Sequence, residues 1–165
     1  MKKLYIVLFL VIIFIIFKMY YLKNSNNNLE ELYDNPIKIN QIYEDYTYDE
    51  YDNHITIKTY NGSDSKVIIP SYINNKPVYS LDDSAFYGNQ NLKKIEIPNT
   101  VIRIGHQSFI GNDNLETVIM SDNLIDIGEW AFKVCTNLKE IYVKKNSDGD
   151  KTLNNSPFSE FIVYK

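Results

Sequence analysis

Histidines, a cysteine and many carboxylates are the side chains here that could do chemistry, and their spacing decides which chemistry is open to them. The two histidines, His54 and His106, fall in different segments, and no nucleophile or orienting acid is placed at a matching interval. Catalysis needs such groups to converge, and no G-x-S-x-G, H-E-x-x-H, Walker or dinucleotide motif supplies them. Cys135 is the single cysteine, which excludes an intramolecular disulfide and a cysteine metal cage. It reads as a small buried hydrophobe rather than a reactive thiol. Asp148-Gly149-Asp150 suggests a calcium loop, but setting Gly149 at the sixth position puts Lys144 first and Asn155 last, where both key ligands fail. The 21 acidic residues are not paired across any implied cleft, as glycoside hydrolysis would require. The expectation is a chain that is not an enzyme and holds no cofactor and no metal.

What positions these residues is a repeat. Phe86, Phe109 and Phe132 recur at a 23-residue step, as do Leu92, Leu115 and Leu138. Ile95, Val118 and Ile141 keep the same step, and so do Ile97, Met120 and Val143, with Asn91, Asn114 and Asn137 just ahead of each leucine. A fixed period of this length with L-x-x-L-x-L spacing marks a leucine-rich solenoid, in which each unit buries its apolar face only against its neighbours. The strands are Ile95–Ile97, Val118–Met120 and Ile141–Val143. The segments 82–87, 106–110 and 129–133 are too brief for independent helices and predict single turns or 3₁₀ pieces on the convex side.

Flanking regions follow from composition. Lys2 and Lys3 precede an apolar run from Leu4 to Phe17 that extends, with Lys18 near its end, to Leu22. No small-residue cleavage site follows, so residues 1–22 are expected to be an uncleaved signal anchor, a single transmembrane helix. Residues 23–45 read as a spacer and 46–64 as an N-terminal capping hairpin, with Tyr43, Tyr46, Tyr48 and Tyr51 expected as the aromatic face of a capping strand. Asp52-Asn53 reads as a turn, His54–Tyr60 as an alternating strand, and Asn61-Gly62 as a strong turn signal leading into Lys66–Pro70. Repeats occupy 65–143, with an extra-long step absorbed by a bulging loop over Ser71–Pro77. The final segment, 144–165, begins with a turn-rich loop at 146–150 and ends as a C-terminal cap, with Phe158 through Tyr164 as a last degenerate coil. Formal net charge is −4, and beyond the four lysines of the first 23 positions it is −8. That balance lacks the basic footprint that phosphate backbones demand, so no nucleic-acid partner is expected.

The residues from His54 to Val143 resemble the BspA-type leucine-rich repeats of bacterial surface proteins. Ile69-Pro70, Ile73-Asn-Asn-Lys-Pro-Val78, Ser84-Ala-Phe86 and the returns Ile104-Gly105 and Ile127-Gly128 carry the likeness, with Cys135 at the position of Asn112 and Asn89. The resemblance implies a surface-exposed, adhesin-like module recognising a protein or glycan. A second reading is a non-catalytic structural or envelope-assembly protein acting through its membrane anchor and spacer.

Alternation along the strands names the candidate binding face. If Val67/Ile69, Ile95/Ile97, Val118/Met120 and Ile141/Val143 point inward, their neighbours point out. One outward row is then Ile68, Glu96, Ile119 and Tyr142, and the row beside it is Lys66, Lys94, Thr117 and Glu140. Ile68, Ile119 and Tyr142 place apolar area on a face where polar residues would suffice, and such area often marks contact sites.

Overall fold

A computed structural model describes residues 36–165 of the protein. The expected membrane span over 1–22 and the spacer up to residue 35 lie outside the described residues. Within the described residues no helix is long and apolar enough to cross a membrane.

The chain winds between two sheets. One is all parallel and built from the repeat strands β4 (Lys66–Ile68), β7 (Lys94–Glu96), β9 (Thr117–Ile119), β11 (Glu140–Val143) and β12 (Ile162–Tyr164), each beside the next in that order. The other sheet collects the return strands β6 (Lys76–Leu81), β8 (Arg103–Ile104) and β10 (Asp126–Ile127), and continues into the cap strands β3 (Ile55–Tyr60), β2 (Tyr46–Glu50) and β1 (Lys38–Tyr43). The short strand β5 (Tyr72–Ile73) pairs with β6 at its side. This is a β-solenoid of about five turns with a leucine-rich-repeat fold.

The core between the sheets is a set of columns. Tyr60, Phe86, Phe109 and Phe132 stack face on face at 5.1, 5.0 and 4.9 Å, and Phe158 closes the column edge-on at 5.3 Å. Phe109 has a ring on both sides and is fully buried. Asn89, Asn112 and Cys135 form a polar column beside the rings. The Asn89 amide donates to the Gly62 carbonyl (3.0 Å), Asn112 to Phe86 and Phe109 (2.7 Å each), and the Cys135 thiol to Phe109 (3.1 Å). Each coil thereby satisfies a carbonyl of the coil before it, which a buried backbone requires.

The turns between return strand and Phe column are single turns without α-helix, and they repeat an unusual backbone. Ser84, Gln107 and Trp130 all take positive φ, as do Gly88, Gly111 and Val134. Glycine accepts that conformation freely, whereas valine, branched at Cβ, does not. In the third coil the cost is borne by Val134.

The ends differ from the sequence expectation. β1 falls within the stretch expected to be spacer, so the cap is a three-stranded antiparallel meander. The turn between β2 and β3 falls at Asp52-Asn53 as expected, and Asn61-Gly62 carries the chain across from one sheet to the other. Tyr46 and Tyr48 are buried, Tyr46 lying against Tyr60 and Phe86. Glu50 is 5% exposed and is held by Lys76 (3.0 Å) and Lys38 (3.1 Å), whose hydrogen bonds draw its carboxyl below the usual carboxylate range. The expected loop over Ser71–Pro77 is a tight hairpin, because Asn74 and Asn75 tolerate the two positive φ values of its turn. The expected loop at 146–150 leads into helix α1 (Asp148–Asn154). Ser147 caps it by accepting from the Asp150 N–H, a local hydrogen bond strong enough to override the turn-rich composition.

Phe109→Ala should cost about 3–5 kcal/mol, since it removes a ring packed on both faces where the coil cannot collapse; a denaturant midpoint lowered accordingly is the check. Val134→Gly should raise stability by about 0.5–1 kcal/mol. Relief of a left-handed valine, about 1–2 kcal/mol, exceeds the added freedom of glycine in the unfolded chain. An unaltered or lower midpoint would contradict this.

Candidate functional site

The candidate residues occupy the outer face of the five-stranded sheet, and the strand register aligns them in two rows. Ile68 faces Glu96, Glu96 faces Ile119, and Ile119 faces Tyr142; alongside run Lys66, Lys94, Thr117 and Glu140. Ile68 is 60% exposed, while Glu96, Ile119 and Tyr142 are half-buried by their neighbours in the row. Lys94, Thr117, Ile119, Glu140 and Tyr142 line one shallow depression of about 380 Å³ together with Lys165. Ile68 and Glu96 lie outside its lining.

Two members of this face carry no periodic signal in the sequence. Val163 continues the apolar row beside Tyr142, and Lys165 sits at the rim, bonded to Asp122 (3.0 Å) and the Met120 carbonyl (3.3 Å). The last coil breaks the 23-residue step, since Ile162 stacks on Ile141. Only the Phe158–Tyr164 pattern hinted at it.

The electrostatics of the face are local. The Tyr142 hydroxyl donates to Glu140 Oε2 at 3.0 Å, and that hydrogen bond raises the phenol above its ordinary value. A tyrosine so held presents a restrained aromatic ring, and Lys94 and Lys165 line the same depression as Glu140.

The chemistry-bearing residues remain apart. His54 is buried, its ring stacked 4.4 Å from Tyr51 and 5.4 Å from Tyr79, with Nδ1 2.7 Å from Asn53 Oδ1. His106 belongs to the turn after β8, its ring 5.2 Å from Trp130. Asp148 and Asp150 sit in the first turn of α1, where Asp150 accepts from the Asn146 N–H and the Asn154 amide. No group of three His, Cys, Asp or Glu side chains that could hold a metal ion occurs among the described residues.

A parallel strand ladder, a return sheet and a column of stacked rings with an Asn/Cys ladder define a leucine-rich-repeat solenoid. The BspA type leucine rich repeat model matches residues 53–164 in six copies, and the chain belongs to that family. Solved structures agree. A leucine-rich repeat protein of T. pallidum is 28% identical with TM-score 0.59, covering 64% of this chain and 53% of its own. A leucine rich cell surface protein of Faecalibacterium prausnitzii is 27% identical with TM-score 0.53, covering 67% and 34%. A leucine-rich repeat protein of Bacteroides capillosus is 25% identical with TM-score 0.60, covering 80% and 99%. This chain thus spans about half of the first and a third of the second. No curated protein matches it. Leucine-rich-repeat proteins of this kind are generally non-catalytic binding modules.

Burial pushes the Cys135 thiol up to about 11, so the thiolate that reacts is scarce at neutral pH. Native protein at pH 8 should resist a thiol-specific disulfide reagent and react fully once denatured; rapid native labelling would contradict the buried column. Because the folded state keeps the proton that the unfolded chain releases, this residue's stabilising effect should fade as pH rises from about 9 towards 11.

Proposed function

We propose that the protein is a membrane-tethered, surface-exposed binding module that recognises a protein or glycan ligand, in the manner of an adhesin, through the outer face of its five-stranded sheet. The observation that carries this reading is the apolar content of the outward row. On strands that meet only water, polar residues would suffice in place of Ile68, Ile119 and Tyr142, while contact patches combine such apolar residues with a polar rim. Tyr142 suits the role, with a broad apolar body and a polar tip already restrained by Glu140. Restraint before binding lowers the ordering cost of association. Lys94, Thr117 and Glu140 add hydrogen-bonding partners and charges of both signs beside the row.

The tether is the apolar stretch from Leu4 to Leu22, which has two lysines before it and no small-residue cleavage motif after it. It would hold the acidic remainder at the membrane surface, facing out. The surface assignment gains support from the F. prausnitzii relative, which is described as a cell surface protein.

The experiment uses the full-length chain displayed on cells, probed with panels of extracellular proteins and glycans. Ile119→Lys combined with Tyr142→Ser should leave the denaturation midpoint within about 1 kcal/mol, since neither side chain is in the core. Wild type and double variant should both remain in the membrane fraction, while capture by the double variant falls by about tenfold or more. Capture retained by the folded double variant would move the site, with the Tyr72–Pro77 hairpin next in line. Release of the wild type into the medium with an N-terminus near Ser25 would remove the tether.

A further inference from the structure

The two sheets do not end together. The five-stranded sheet runs on through β11 and β12, whereas the return sheet stops at β10 and helix α1 follows in the chain where another return strand would fall. Between β10 and the α1 side lies an open cleft of about 630 Å³, walled by Ile125–Trp130 on one side and by Lys151, Thr152 and Asn155–Phe158 on the other. The column that crosses this end shows the consequence. Ile57, Leu81 and Ile104 are fully buried, each under the next, but Ile127, though packed against the core, is only partly buried.

The backbone at this edge is also incomplete. In the preceding coils the Ile102 carbonyl accepts from Ile125 and Asp126, and the Ile104 carbonyl accepts from Gly128. Ser84 and Gln107 donate their N–H groups to the following coil, at His106 and Glu129. Among the described residues nothing donates to the carbonyls of Ile125 or Ile127, and nothing accepts from the Trp130 N–H. An open strand edge of this kind recruits extended peptide by main-chain hydrogen bonds, with side-chain pockets giving selectivity.

We propose that β10 and the cleft beside it form a second binding site, which takes an extended peptide of a partner protein as an added parallel strand carrying a basic–apolar–glycine triplet. Each position of the triplet is dictated by what it would meet. The apolar residue covers Ile127, as Ile127 itself covers Ile104. The basic residue falls beside Asp126, whose exposed carboxylate already meets Arg103 at 3.2 Å on its other side. Glu129, also exposed, adds to the negative charge there. Glycine is needed where the coils approach most closely. A Cβ on Gly105 would lie 2.6 Å from the backbone of the preceding coil, and one on Gly128 would lie 2.4 Å from it. Trp130, nearly half-exposed at the cleft wall, offers the flat apolar surface that anchors such contacts.

The chain contains its own probe, since residues 101–107 read Val-Ile-Arg-Ile-Gly-His-Gln, and its own reporter, since Trp130 is the single tryptophan. Full-length protein in detergent micelles is titrated with this heptapeptide while Trp130 emission is followed. A saturable shift is expected. Replacing the peptide glycine by valine should weaken binding about tenfold or more. The protein variant Asp126→Arg should lose about tenfold for the arginine peptide and prefer a peptide with glutamate in its place. The Asp126 side chain is solvent-exposed, so this variant is expected to fold, and circular dichroism checks that it does. The proposal is overturned by the absence of a saturable shift at millimolar peptide, or by binding indifferent to the glycine and to the charge exchange. Self-association of the protein that blocks the peptide would overturn it in favour of a second copy as the occupant.

Discussion

One coil must rest on the next at the spacing of a hydrogen-bonded sheet, about 4.8 Å, and every other feature of this molecule obeys that distance. The stacked rings of Tyr60, Phe86, Phe109 and Phe132 keep close to it at 4.9–5.1 Å, which leaves room for face-to-face stacking and nothing between. Gly105 and Gly128 mark where the backbones close to a distance that admits no side chain. The polar column of Asn89, Asn112 and Cys135 belongs to the same constraint, because a backbone turned inward at this spacing has carbonyls that water cannot reach. Cysteine can serve in the last member since a thiol, though a weaker donor, still reaches the Phe109 carbonyl.

A stack held by neighbours has a problem wherever a neighbour is missing. At the N-terminal end three antiparallel strands cover the open columns with tyrosines and hold a buried glutamate between two lysines. Such an ion pair adds little net stability after desolvation, though removing one lysine would leave a buried charge uncompensated. At the C-terminal end the cover is piecemeal. Helix α1 and the edge-on ring of Phe158 cover the Phe column and strand β12 extends the repeat sheet, while among the described residues the return sheet ends at β10 beside an open cleft. The N-terminal cap extends only the return sheet, so among the described residues β4 is left as an edge of the repeat sheet at that end, as β10 is of the return sheet at the other.

The constraint that spends half of each strand on the core frees the other half. Outward positions are held in rows by the register yet are under no packing demand, so they can vary without disturbing the fold. A scaffold of this sort carries function in its surface residues rather than in its architecture.

The sequence alone determined what depends on a residue having equivalents. The 23-residue step, the inward columns, the outward rows and the place of Cys135 beside Asn112 were all legible there, because each repeat must present the same residue type at the same height. Tertiary structure decided what happens where equivalents run out. β1 within the expected spacer, the helix after Ser147, the crossing at Asn61-Gly62, and Val163 and Lys165 on the candidate face have no counterpart elsewhere in the chain. A terminal coil has one neighbour instead of two, so its residues answer to a particular partner surface and not to a period. Pattern cannot announce them. The same reason hides the open edge at β10, since Asp126-Ile127-Gly128 repeats the apolar–glycine pair of Arg103-Ile104-Gly105, and only the topology shows that, among the described residues, no further strand pairs with it.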